Sequence, residues 1–135
     1  MFAALPLLSL PVIFYNLFML VFGPGTEAEA RMNQPLFSIA MASRVRWIVH
    51  TSDLFIASSL VILFIELLRS TQAGRLAIIN HSLSMVLFIG CLVEFLLRAS
   101  CATSTFFLIT AMVLLDVLAG FIVSLSATRR EIDIR

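Results

Sequence analysis

The chain contains no lysine. All nine basic residues are arginine, and eight acids bring the net charge to +1. That balance gives no basic face for nucleic acid and no polybasic cluster for anionic lipid. Charge of either sign is scarce: 13% of residues are charged and 61% are hydrophobic, where soluble domains carry about 25% charged residues. A solvated surface is thereby excluded, and a mean hydropathy of +1.07 leaves a bilayer as the surrounding partner.

Cysteine is nearly absent too. Cys91 and Cys101 are ten positions apart. One reads as mid-span and the other as loop, about 15 Å apart along a helix, too far for a disulfide. Without a second thiol or histidine at ligand spacing they form no metal site. The sequence also lacks a GxSxG elbow, an HExxH helix, a P-loop and a dinucleotide fingerprint. No catalytic residue, cofactor or metal is therefore expected, and the protein reads as a non-enzyme.

What is present are long apolar runs. A transmembrane helix needs roughly 20 apolar residues, and four segments approach that: 2–22, 52–68, 78–97 and 105–127. Ala28-Glu29-Ala30 looks like a signal cleavage site, but no basic region precedes the first run, which exceeds the usual 7–15 residues; it is read as an uncleaved first span. Within it Pro6 suits a first helical turn and Pro11 predicts a kink. Asn16 is placed to bond another helix. Gly23-Pro24-Gly25 ends the span. Asn33 or Gln34 before Pro35 reads as a helix start. From 36 to 48 Phe37, Ala40, Met41, Trp47 and Ile48 share one helical face, which predicts a short helix lying in the interface. The expected fold is all-α: an antiparallel bundle of four transmembrane helices in a single membrane domain, 1–135, with that interfacial helix between spans one and two.

The polar residues inside the spans are the candidate sites. Asp116 alone is central; Glu66 and His81 share a depth toward one side, Asp53 and Glu94 toward the other. Asp53 can cap the second span. Glu66 can reach Arg69, or His81 across the loop, and Glu94 can reach Arg98. Carboxylates within spans usually face a partner or water. For Asp116 three roles stand side by side: a hydrogen bond to a Ser, a Thr or the backbone of a neighbouring helix, a proton or ion site, and a contact to another subunit. Its helical face carries Thr105, Ile109, Met112, Ala119, Gly120 and Val123. Gly120 with Ser124 forms a small-xxx-small pair, and Gly90 offers a close approach near Glu94.

Two functions from different classes fit these features. One is a small membrane protein that assembles with itself as a homo-oligomer, or stabilises a larger membrane complex as an accessory subunit. The other is a proton- or cation-coupled carrier or channel using Asp116 in an oligomer. With four spans both termini share a side, which collects Arg69, Arg75, Arg129, Arg130 and Arg135 against Arg31, Arg44, Arg46 and Arg98, so the termini are placed in the cytoplasm.

His81, Glu94, the Ala-Thr-Ser-Thr-Phe-Phe run at 102–107, Asp116 and the Arg129-Arg130 exit together resemble the C-terminal half of short four-span proteobacterial proteins of unknown function. DLFIASSLVILFIELLRST echoes them more loosely. The resemblance implies a bacterial inner membrane and brings no activity with it.

Overall fold

A computed structural model describes residues 5–22, 27–69 and 75–134, the side chains of 75–76, 124 and 126–134 excepted. The order is α1 (Ser9–Phe22), α2 (Ala28–Met32), β1 (Pro35–Ala40), β2 (Arg46–His50), α3 (Thr51–Arg69), α4 (Arg75–Leu97), a 3-10 turn (Ala99–Cys101) and α5 (Ser104–Ile134). Among the described residues three helices are long and apolar enough to cross a membrane: Thr51–Arg69, Ala77–Leu97 and Ser104–Val123.

The first apolar run does not become a full-length span helix. Its helix begins at Ser9 and has 14 residues, about 21 Å at 1.5 Å per residue, against a hydrocarbon core of about 30 Å. Turns precede it: the Ser9 amide and hydroxyl both donate to the Pro6 carbonyl, at 3.1 and 2.7 Å. Pro11 therefore falls in the first turn, where a helix tolerates proline, and the expected mid-helix kink does not arise. Residues 2–4 and Gly23-Pro24-Gly25 lie outside the described residues.

The all-α expectation also fails at 36–48. That segment is an antiparallel hairpin, pairing Phe37 with Val49, Ser38 with Ile48, Ile39 with Trp47 and Ala40 with Arg46. Pro35 opens the strand, a position where its missing N–H is tolerated, rather than a helix. The turn closes through the Arg44 amide donating to Met41 O at 2.9 Å and the Met41 amide donating to Val45 O at 3.0 Å. Arg44 has φ +69°, the left-handed residue of a three-residue hairpin loop. Phe37, Ile39, Trp47 and Val49 share one face of the hairpin. With Leu54, Ile56, Ala57 and Leu60 of α3 they line an open apolar groove of about 420 Å³.

α5 is the centre of the molecule: α4, α3 and α1 all pack on it. Its inner face carries Thr105, Phe106, Ile109, Met112, Val113 and Asp116, all buried, at the three- and four-residue spacing that puts side chains on one helix stripe. α4 runs antiparallel to it, with Phe95 against Phe107 at 5.7 Å between ring centroids and Ser84 against Asp116. α1 packs on the starts of α5 and α3, and the segment before it reaches the end of α3, where the Leu7 amide meets Glu66. The Tyr15 ring of α1 sits 5.0 Å from Phe106 and 5.8 Å from Phe55. The outward surfaces of the three long helices are apolar, including Leu60, Phe64, Val86, Leu96, Leu115 and Phe121.

Candidate functional site

The polar groups gather in two places, one toward each end of the long helices. The first lies where α3 ends and α4 begins. Glu66 is 1% exposed and Asp116 4%. Asp116 Oδ2 accepts a hydrogen bond from Ser84 Oγ at 3.0 Å, and the same hydroxyl lies 3.0 Å from the Asn80 carbonyl. Glu66 lies within electrostatic reach of Asp116. One Glu66 oxygen, Oε2, accepts from the Leu7 amide at 3.0 Å and pairs with Arg69 at 3.6 Å. The i,i+3 pairing with Arg69 is the arrangement that helical spacing allows. The other oxygen, Oε1, is buried and has no hydrogen-bond partner, and neither has His81 Nδ1.

His81 lies one turn of α4 from Ser84, and its ring packs against Gly120, one turn of α5 from Asp116. A Cβ on Gly120 would stand 2.5 Å from His81 Nδ1. Ala119 beside it is half-buried. The Ser124 side chain lies outside the described residues. Gly90 is in a different situation: a Cβ there would meet nothing within 4 Å. Among the described residues nothing makes the close approach expected at Gly90, and its face of α4 is exposed.

The second cluster lies at the opposite end. Asn16 Nδ2 donates to Glu94 Oε2 at 2.9 Å and to the Val12 carbonyl at 3.0 Å. Arg98 Nη1 donates to Asn16 Oδ1 at 2.9 Å. Asn16 thus stands between Glu94 and Arg98, where spacing alone predicts a direct pair. The Cys101 thiol approaches the same two residues, 3.7 Å from Asn16 Oδ1 and 3.9 Å from Glu94 Oε2. Cys101 is fully buried in the turn after α4. Burial first, and Glu94 second, push its thiol pKa above the ordinary value, with Arg98 acting in the other direction.

Next to this cluster the start of α5 is tied down three times. Thr103 Oγ1 accepts the Phe106 amide at 3.1 Å, the N-cap bond to the third helical residue. Tyr15 Oη lies 2.6 Å from the same Thr103 oxygen and donates to the Ser100 carbonyl at 2.8 Å. Glu29 Oε2 accepts the Ser104 amide at 3.2 Å, an acid at the positive end of a helix.

Asp53 belongs to neither cluster. Its Oδ2 accepts the His50 amide at 2.9 Å, and His50 Nδ1 lies 3.4 Å away. The third residue of α3 thus bonds back to the residue before the helix, the acidic half of a capping box. Ser84 is not singled out by sequence, and neither Thr103 nor Glu29 is read there as holding the start of α5. For Ser84 the signal was available, since it lies three residues from His81 on the same helix face.

Among the described residues no group of three or more His, Cys, Asp and Glu is placed to hold a metal ion. No protein-family model matches the chain, and no curated protein or solved structure matches it.

Proposed function

We propose that the protein is a small, non-enzymatic multi-pass membrane protein that assembles with itself or stabilises a larger membrane complex. The observation that carries this reading is the uneven burial of the long helices. Of the apolar stretch of α4, 11% is buried within the chain, against 33% for α5. Both α3 and α4 pack chiefly on α5, so α4 keeps most of its surface for other contacts. Gly90 lies on that open surface, and small residues let a second helix approach closely in a bilayer.

In this reading α1 with the residues before it serves as the fourth span, which puts both termini on one side. The excess of arginine there favours the cytoplasm. The hairpin belongs to the membrane interface. A two-stranded ribbon leaves backbone N–H and C=O groups open along both edges, and the hydrocarbon core offers them no partner. The resemblance of the last two spans to short proteobacterial proteins supports a bacterial inner membrane.

Native mass spectrometry after gentle extraction from the source membrane tests the proposal. The expected result is a mass at a multiple of 15.0 kDa, or a larger mass containing a second protein. A 15.0 kDa species alone, under every mild extraction, would overturn it.

A further inference from the structure

The hairpin and the start of α3 flank an apolar groove of about 420 Å³, a size within the usual range for small-molecule sites. Phe37, Ile39 and Trp47 line its hairpin wall, and Leu54, Ala57 and Leu60 its helix wall. All six side chains are exposed. The groove follows α3 for about 10 Å at 1.5 Å per residue. Leu60 stands one helical turn from Phe64, which is exposed on the outward apolar surface of α3, and residues four apart share a helix face. The groove is therefore continuous with the surface that meets hydrocarbon, and apolar walls of this kind favour an apolar filling over water.

The charges around the groove are unevenly placed. The hairpin carries Arg44 and Arg46 and no acid. Both are exposed, and among the described residues neither guanidinium has an ion-pair or hydrogen-bond partner. Arg46 pairs with Ala40, one register position beyond the pair of Ile39 and Trp47, and Arg44 follows in the turn. Both cations thus stand at the tip end of the groove. Asp53, the charged residue among its lining, stands at the other end, where its Oδ2 accepts the His50 amide and faces the His50 ring. Arginine stems lie along apolar surface while the charge reaches a polar layer, and a guanidinium fork matches a phosphate. Two free guanidiniums suit a single phosphate. The half-exposed Trp47 ring suits the headgroup boundary.

We infer that this groove binds one anionic phospholipid, with an acyl chain between the hairpin and α3 and the phosphate at Arg44 and Arg46. The inference rests on the placement of the hairpin at the membrane interface and is independent of assembly.

Trp47 is the only tryptophan of the chain, so its fluorescence reports on the groove without a label. The full chain is reconstituted in vesicles of phosphatidylglycerol and phosphatidylcholine in equal parts, with brominated chains on one lipid or on the other. Bromine quenches tryptophan by contact. Brominated phosphatidylglycerol is expected to quench Trp47 several-fold more strongly than brominated phosphatidylcholine. Arg44→Gln combined with Arg46→Gln is expected to abolish the preference. Ala57→Phe, which fills the groove and leaves both arginines, is expected to abolish it too, and Ala57→Leu is the milder filling should the larger ring disturb the hairpin. Equal quenching by the two lipids in the wild type would overturn the inference while leaving the interfacial placement intact. A preference that survives both fillings would overturn it as well, because anionic lipid would then be drawn to the hairpin surface and not into the groove. Absence of quenching by either lipid would overturn it in one of two ways. With the emission of a water-exposed tryptophan, the interfacial placement falls too; with blue-shifted emission, a second copy of the chain covers the groove.

Discussion

Asn16 of α1 and Glu94 of α4 are 78 residues apart in sequence and 2.9 Å apart in space, and the same Asn16 side chain receives Arg98. One neutral amide thereby satisfies an acid and a base while fastening the short first helix to the long ones. A polar bond between membrane helices averages about 0.6 kcal/mol, whereas leaving a buried partner unsatisfied costs about 1–3 kcal/mol. Arg98 stands four residues from Glu94 and can turn to it when Asn16 is gone, which limits the loss. Asn16→Leu is therefore expected to destabilise the fold by about 1 kcal/mol, and the same change in an Arg98→Ala background by more. Unfolding midpoints in mild detergent measure both. Equal losses in the two backgrounds would show that Asn16 does not mediate between the charged pair.

Arg44 carries a local strain that can be removed. Its φ of +69° places a β-carbon where only glycine fits without cost, about 1–2 kcal/mol for an L-residue. Arg44→Gly is expected to stabilise the hairpin by about 1 kcal/mol, while Arg44→Ala, which keeps the β-carbon, is expected to give no such gain. Hydrogen exchange at the Ile39, Met41 and Trp47 amides, which point into the ladder, reads the difference as slower exchange in the glycine variant alone.

The same turn explains what was and was not legible in the sequence. The three long helices follow from their apolar runs, and the Glu66–Arg69 pairing follows from helical spacing. The hairpin was read as a helix because Phe37, Ala40, Met41, Trp47 and Ile48 also fit a helical face. Its turn, Met41-Ala42-Ser43-Arg44, holds no Gly, Asn or Pro to announce it. Arg44 did interrupt the helical face, and that misfit was the available warning. The length of α1 was hidden because apolar content reports what a membrane accepts and says nothing of where the first helical turn closes. That Asn16 comes between Glu94 and Arg98 depends on the crossing of α1 over α4, which no local pattern encodes. The exposure of Gly90 was equally out of reach, since it depends on the rotation of α4 about its own axis.

Cys101 is expected to be a poor nucleophile. It is fully buried, and its thiol pKa is raised by burial and by Glu94. Since the thiolate is the reactive form, a raised pKa means less of it at neutral pH and a labelling rate that climbs as pH rises. Maleimide labelling of the folded protein at neutral pH is expected to be slow. Asn16→Ala, which opens one wall around the thiol, is expected to speed it several-fold. Fast labelling of Cys101 in the wild type would contradict the packing of α1 against the turn after α4.

Gly120 and His81 give the sharpest test of how α4 meets α5. In an exposed helix interior Gly→Ala gains about 1 kcal/mol from helix propensity. At Gly90 a new β-carbon meets nothing within 4 Å in the single chain, so Gly90→Ala is expected to show that gain in dispersed single chains, where no second helix packs on it. At Gly120 the β-carbon would stand 2.5 Å from His81 Nδ1 and 3.3 Å from two further ring atoms, and overpacking of this kind costs about 1–3 kcal/mol. Gly120→Ala is therefore expected to destabilise the protein despite its better propensity. Removing the ring should reverse the sign: in a His81→Ala background, Gly120→Ala is expected to be neutral or stabilising. A double-mutant cycle on unfolding midpoints isolates the coupling, which is expected to be of the order of 1 kcal/mol or more for residues in contact. Additive effects would mean that the His81 ring does not lie on Gly120, and the antiparallel register of α4 against α5 would have to be redrawn.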